Sequence, residues 1–389
     1  MRDIYLDNSA TTPLCNAAKE AMYQAMELYG NPSSLHSVGQ AAHTLVEEAR
    51  REIAISLGVR NTRDAGQIIL TSCGSESDNI AVRGTAYAKP RRRGGRIIST
   101  DSEHPGVENA LRVLACNGFD IVRISTRGGE LDWEQYEAAL NDRTFLVSMM
   151  MVNNETGALY DVGRAFAMAK AKNPDIVTHT DAVQGYLKCR FTPQALHADL
   201  VTVSAHKIHG PKGVGALYAS ADAIRRKDFE GVILGGGQEK GFRSGTENVM
   251  GIAGFGAAAK EGFADLTADL AHLRDLRDYA CQRLLALPVE QNIPNGACAP
   301  HILNITLPNI RSETMLHALS ADGISISHGS ACSSHSSHVS PSLIAFGLSV
   351  AQAECSVRIS FGKQNTREDV DALVDSLSRA IDRLVRVKR

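Results

Sequence analysis

Val203-Ser204-Ala205-His206-Lys207-Ile208-His209-Gly210-Pro211-Lys212-Gly213 lies where a buried strand gives way to a turn, and the rest of the chain can be placed from it. The run Asp199-Leu-Val-Thr-Val-Ser204 shows no polar alternation and is rich in β-branched residues, the pattern of a strand covered on both faces. Gly and Pro crowd the turn that follows, with Lys207 at its lip. A lysine there is either a solvated loop residue or an amine in a desolvated pocket, where its pKa falls and it becomes a nucleophile. A second apolar run, Asp175-Ile-Val-Thr-His-Thr180, ends in Asp181-Ala182-Val183-Gln184, with Asp181 26 positions before Lys207. An acid at one strand end and a lysine at the next are what pyridoxal phosphate requires. The lysine forms the Schiff base and the acid pairs with the pyridinium nitrogen.

Composition sets the frame. The 389 residues are 43% hydrophobic and 22% charged, which suits a protein with a large core and predicts two domains. A net charge of -2 gives no electrostatic reason to expect a nucleic acid or an anionic membrane as partner. Arg91-Arg92-Arg93 reads as a solvated turn. The eight cysteines show no Cys-x-x-Cys spacing. No signal peptide precedes the first strand, and no apolar run approaches the roughly 20 residues of a membrane span. The cysteines are therefore expected to be reduced thiols of a cytoplasmic protein, most of them in the core, and no resident metal is expected.

Strands are predicted near Gln67-Thr71, Arg96-Thr100, Ile121-Ser125, Thr144-Val152, Ile176-Thr180, Leu200-Ser204 and Gly215-Ala219, with helices between most of them. That alternation predicts an α/β fold: a large domain over residues 15–255 with a mostly parallel seven-stranded sheet. Ligands of such sheets bind outside the carboxyl ends of the strands. Before it, a helix is expected over Asn16–Glu27 and a second one capped by Ser33 or Ser34. After Gly251 a long amphipathic helix, about Ala257–Leu287, leads to the strands Ile302–Leu307 and Cys355–Phe361 and a final helix from Arg367. Residues 256–389 are thus assigned to a smaller α+β domain. Ser75 and Asp78 have the spacing of a capping box after the strand ending near Thr71. That helix start is also a ready anion site.

Four stretches together resemble the NifS/IscS-type cysteine desulfurases of the class V aminotransferase group. They are Tyr5-Leu-Asp-Asn-Ser-Ala-Thr-Thr-Pro13, His179-Thr-Asp-Ala-Val-Gln184, Ser204-Ala-His-Lys207 and Gly235-Gly-Gly-Gln-Glu-Lys-Gly-Phe-Arg-Ser-Gly-Thr246. The likeness extends to Val357-Arg358-Ile-Ser-Phe-Gly362. It implies an aspartate aminotransferase-like fold binding pyridoxal 5'-phosphate, in which the arm, residues 1–14, packs with the smaller domain. By resemblance Gly74 and Ser75 hold the phosphate with help from Ser204 and His206, and His104 stacks on the ring and shuttles protons near the substrate as a catalytic residue. Asn154 and Gln184 then face the phenolic oxygen, Asp181 the ring nitrogen, and Asn154 and Arg358 the substrate, Arg358 clamping its carboxylate. The glycine-rich loop is expected to cross to a neighbouring subunit, where Thr246 meets the other phosphate, which implies a homodimer.

The segment Gly329-Ser-Ala-Cys332-Ser-Ser-His335-Ser-Ser-His338 is mostly Ser, His and Gly and is expected to be mobile. It resembles the family's catalytic cysteine motif. The implied reaction converts L-cysteine to L-alanine: Lys207 takes the α-proton, and Cys332 attacks the substrate sulfur as a thiolate, becoming a persulfide. A selenocysteine lyase or another class V aminotransferase-like enzyme is the alternative, although an aminotransferase would not need such a cysteine. His335 and His338 are either idle, supports for the thiolate, or ligands for a stray metal. The cysteine segment is somewhat longer than in the housekeeping enzymes, and the chain stops at Arg389 without the extension they use to dock a scaffold. The sulfur acceptor, an iron-sulfur scaffold or another carrier, therefore stays open.

Overall fold

The computed structural model describes residues 3–59, 68–328 and 339–387. The first strand, β1 (Ile4–Tyr5), belongs to the N-terminal arm. The next seven form one sheet: β2 (Ile68–Thr71), β3 (Arg96–Thr100), β4 (Asp120–Ile124), β5 (Thr144–Ser148), β6 (Val177–Asp181), β7 (Leu200–Ser204) and β8 (Gly215–Ala219). Their spatial order is β2-β8-β7-β6-β5-β3-β4. Only β8 is reversed, pairing antiparallel with β2 and β7, while β3 to β7 pair in parallel.

The lack of alternation in the apolar runs now has a physical reading. Ile68, Leu70, Ile98, Val147 and Val201 enter the core on one face of the sheet. Ile69, Ile97, Leu146 and Leu200 enter the core on the other. Successive side chains still point to opposite faces, but both faces are covered, so the period of two leaves no mark on residue type. The run after β5 departs from expectation. It leaves the sheet at Ser148, and Val152 bridges antiparallel to Leu159.

Helix α1 (Asn16–Met26) and helix α2 (Ser37–Ser56) pack along the long helix Val249–Leu284. The cap of α2 is not a serine. His36 Nδ1 accepts from Gly39 N at 3.2 Å, while Ser33 sits in the preceding turn, its N–H donating to Asn31 Oδ1 at 2.9 Å. The long helix begins eight residues before its predicted start at Ala257, capped by Asn248 Oδ1, which accepts from Gly251 N at 3.1 Å. Arg92 is also a correction. It is buried, donating to Thr85 O and to the backbone and side chain of Asp228, a buried carboxylate that Lys89 and Arg226 also pair. Of the seven described cysteines, all free thiols, only Cys15 lies in the core. Cys189 and Cys281 are partly buried against the two cores, and Cys73, Cys116 and Cys355 sit at helix ends. None of the described helices is long and apolar enough to cross a membrane.

A second sheet joins β9 (Glu290–Gln291), β10 (Ile302–Thr306) and, after β11 (Ile324–Ser325), β12 (Ser356–Ser360), antiparallel in the order β12-β10-β9. Along the long helix Ile252, Phe255, Leu266 and Leu270 serve the large core, and Leu273, Leu276, Ala280 and Leu284 serve the small one. We propose to divide the chain within this helix, counting the arm with the small unit. The arm ties the two together. β1 pairs with β11, Ser360 N donates to Leu6 O at 2.7 Å, and Thr12 N donates to His206 O at 2.9 Å.

A buried ion pair pins the glycine-rich loop to this frame. Arg50 of α2 donates to both oxygens of Glu239 at 2.6 and 2.8 Å, and Glu239 also accepts from Leu70 N at 2.9 Å. Their side chains are only 9% and 3% exposed. Removing one partner strands a buried charge, so Arg50→Met should cost about 3–5 kcal/mol. The double variant Arg50→Met/Glu239→Gln should recover part of that loss, as read from urea-unfolding midpoints.

Candidate active site

Five strand ends converge on a cavity of about 170 Å³. After β2 the chain turns into helix α3 (Gly74–Asn79); after β3 it delivers His104, and after β5 Asn154. Strand β6 ends in Asp181, and β7 opens into a tight helical turn, Ala205–Lys207. Crossover connections leave this edge of a parallel sheet open, which is why ligands bind there. Ser9 and Ala10 of the arm and Arg358 of β12 complete the walls.

Hydrogen bonds orient the polar groups. Lys207 Nζ donates to the carbonyls of Ser9 and Ala10 at 2.5 and 2.7 Å. Asp181 Oδ1 accepts from Val183 N at 2.9 Å. Gln184 Nε2 donates to Ser9 O at 2.9 Å. His104 caps the helix Pro105–Cys116, its Nδ1 accepting from Gly106 N at 3.0 Å, so a neutral ring carries its proton on Nε2. Arg358, 1% exposed, donates to Asn154 O and Asp7 Oδ1, each at 2.8 Å, and its Nε has no partner among the described residues.

One side of the cavity is acidic. An oxygen each from Asp78 and Asp181 and a nitrogen of His104 lie within 4.8 Å of one another. Burial pushes the Asp181 carboxyl up, opposed by His104 and Lys207. It pushes Asp78 well above the carboxylate range, with repulsion from Asp181 added, and Glu103 to about 8. The other side is basic. Lys188, which lines a separate pocket with Asn8 and Thr12, is buried with no hydrogen-bond partner among the described residues and is pulled down to about 7, chiefly by burial and then by Lys207. Burial, with the positive charge of Lys207 added, pushes His206 down to about 3. His104 also lies below its ordinary value through burial, with Asp181 opposing.

Every cofactor residue expected from the sequence lines this one cavity except Thr246, which is exposed at the end of its loop. Cys332, His335 and His338 fall outside the described residues. The flanks of that segment attach beside the cavity: Ser327 N donates to Arg358 O at 3.1 Å, and Ser340 Oγ to Glu155 Oε2 at 2.6 Å. The asparagine pair divides its work. Asn153 Oδ1 forms the turn, accepting from Glu155 N and Thr156 N at 3.0 Å, and Asn154 faces the cavity. The capping box does not form. Helix α3 follows Cys73 without a side-chain cap, and Asp78 turns inward because its face of the short helix lies against the sheet.

Sequence reasoning missed Asp78, Glu103, Lys188 and the carbonyls of Ser9 and Ala10. An acid between a strand end and His104 was a usable signal for Glu103. Backbone carbonyls carry no residue code, so nothing marked the arm.

The donor set fits a flat heteroaromatic ring bearing a phosphate. Ser204 Oγ and Asp78 Oδ1 are buried without a partner among the described residues. At Gly74 a Cβ would meet Val183 Cγ2 at 2.9 Å, so glycine lets the first amides of α3 border the cavity.

The family model for aminotransferase class V matches residues 4–373. This chain belongs to that family. Its relatives include a cysteine desulfurase of Trichormus azollae, 37% identical over 99% of this chain and 94% of that protein. A solved NifS-like protein superposes with a TM-score of 0.89 at 34% identity, covering 99% of this chain and all of the other. A structure described as SspA in complex with cysteine superposes with a TM-score of 0.80 at 30% identity, covering 93% of this chain and all of that one. The chain is thus a class V enzyme of the NifS/IscS type.

Glu103 yields a pH prediction. Its carboxyl stays neutral in the fold up to about 8, but ionises near 4.5 when unfolded. A folded pKa raised in this way contributes stability below about 4.5 that is lost as the pH rises towards 8. Glu103→Gln should therefore raise the melting temperature at pH 8 and change it little at pH 5.

Proposed function

We propose that this protein is a pyridoxal phosphate-dependent cysteine desulfurase that converts L-cysteine to L-alanine and takes the sulfur onto Cys332 as a persulfide. The observation that carries the reading is the meeting of Lys207, Asp181 and Arg358 in one cavity of a class V chain. Pyridoxal phosphate, when bound, supplies a covalent anchor for the substrate amine and an electron sink.

The chain's own residues would do the rest. Lys207 would hold the cofactor, and the amides of Gly74 and Ser75 with the Ser204 hydroxyl and His206 would hold its phosphate. Asp181, kept ionised by a cationic ring nitrogen, would face that nitrogen, and His104 would lie over the ring and exclude water from one side. Gln184 and Asn154 would face the phenolic oxygen. Arg358, already desolvated and with Nε unpaired among the described residues, would clamp the substrate carboxylate. Lys207 Nζ, once released, would take the α-proton. Cys332 attacks as a thiolate: its sulfur bonds to the substrate sulfur and the carbon–sulfur bond breaks. The electron pair stays with the substrate carbon, which takes a proton and becomes the methyl of alanine. Cys332 lies five residues from Ser327, a length of chain that spans at most roughly 17 Å. The persulfide then serves an acceptor protein, an iron-sulfur scaffold or another sulfur carrier, in the cytoplasm.

Cys332→Ser tests the assignment. It should still perturb the cofactor spectrum on adding L-cysteine but form no persulfide and no alanine; alanine made at the normal rate would refute it. The exposed Thr246, together with Tyr29, Leu35 and Leu234, each more than 80% exposed, supports a homodimer in which Thr246 serves the partner's site. Mixing Lys207→Ala with Thr246→Ala should then restore activity that neither homodimer has, because each hybrid keeps one intact site. An active monomer in sedimentation would rule this out.

A further inference from the structure

His301 stands directly before β10 and is fully buried. Its carbonyl accepts from Phe361 N at 2.9 Å, which ties it to the end of the strand carrying Arg358. Its ring reaches the other way, with Nε2 3.4 Å from Gln184 Oε1, and its Nδ1 has no partner among the described residues. Burial holds the ring neutral, helped by the positive charges of Lys188, Arg358 and Lys207 around it. A neutral imidazole has one N–H. On Nδ1 that proton would be a buried donor without an acceptor, so it belongs on Nε2, where Gln184 Oε1 accepts it.

This settles which way the Gln184 amide points. With Oε1 held by His301, Nε2 donates one hydrogen to Ser9 O at 2.9 Å and has the second for the cavity. The flipped amide would set Oε1 against the Ser9 carbonyl and its NH₂ against an N–H, two mismatches at once.

We propose that His301 is a positioning residue that locks the Gln184 amide so that an N–H, not the carbonyl, faces the phenolic oxygen of the bound cofactor. The proposal rests on the reading of this cavity as a pyridoxal phosphate site with Gln184 at that oxygen. A donor there stabilises negative charge on the oxygen, and so favours the deprotonated form of the Lys207-bound chromophore. Loss of the donor raises the pH at which the visible band titrates.

The experiment is a pH titration of the visible absorbance of the holoenzyme. Wild type is compared with His301→Phe, His301→Leu, His301→Gln and Gln184→Leu, with melting temperatures measured alongside. His301→Phe keeps a ring without the N–H, His301→Leu is a second donor-free variant, and His301→Gln restores an N–H near the Nε2 position. The midpoint should rise by about half a unit to one unit in the folded donor-free variants, the size expected for one hydrogen bond, and return in His301→Gln. A shift in Gln184→Leu with none in the donor-free His301 variants overturns the role of His301. So does an equal shift in His301→Gln and His301→Phe, which marks a packing effect. No shift in Gln184→Leu overturns the reading of Gln184 instead, and the proposal with it.

Discussion

A lysine drawn out of bulk water must find acceptors, and Lys207 finds them in the carbonyls of Ser9 and Ala10. Those carbonyls belong to the arm, not to the sheet that delivers the lysine. The arm can present them only because Leu6 is held by β12, β1 is held by β11, and Thr12 is fastened to the turn after β7. Placing one ammonium group therefore fixes how the small sheet sits against the large one. Arg358 inherits its position from the same bonds, since Asp7 of the arm accepts from its guanidinium.

The charges around the cavity are sorted rather than neutralised. Asp78, Glu103 and Asp181 cluster at the ends of the large sheet, and burial pushes all three towards the neutral form. Lys188, Lys207 and Arg358 lie towards the arm and the small sheet, and the histidines near them are pushed towards neutrality. Such a field suits a ligand with a cationic ring nitrogen on one side and anionic groups on the other.

Much of this was legible in the chain. The parallel sheet could be read because strands buried on both faces are apolar throughout, as in Leu200–Ser204, and because helices separate them. Lys207 and Asp181 could be read because chemistry at strand ends needs specific side chains. What escaped was set by packing. Asp78 has the spacing of a cap, and only the approach of α3 to the sheet turns it inward. Arg92 looks like one of three solvated arginines until Asp228 is seen beneath it. The start of the long helix was misplaced because Gly251, Gly254 and Gly256 argue against a helix. Each of those glycines packs closely instead, as where a Cβ at Gly256 would meet the backbone of Ala49 at 2.6 Å.

The two sheets also divide the proposed chemistry. Groups assigned to the cofactor come from the ends of the large sheet, where main-chain hydrogen bonds hold each strand in place, on both sides for all but the edge strand β2. Groups assigned to the substrate and its sulfur attach to the small sheet: Arg358 lies on β12, and Ser327, at the root of the cysteine segment, pairs with it. The carboxylate clamp and the root of the cysteine segment therefore move together if the small sheet shifts against the large one. His301 joins the small sheet's β10 to Gln184 and so sits on the seam between these two groups. A displacement of the small sheet would loosen the hydrogen bond from His301 to Gln184, and with it the amide that faces the proposed ring oxygen, before it disturbed Asp181, which the large sheet holds. The seam is thus the place where substrate binding and cofactor electronics can influence each other.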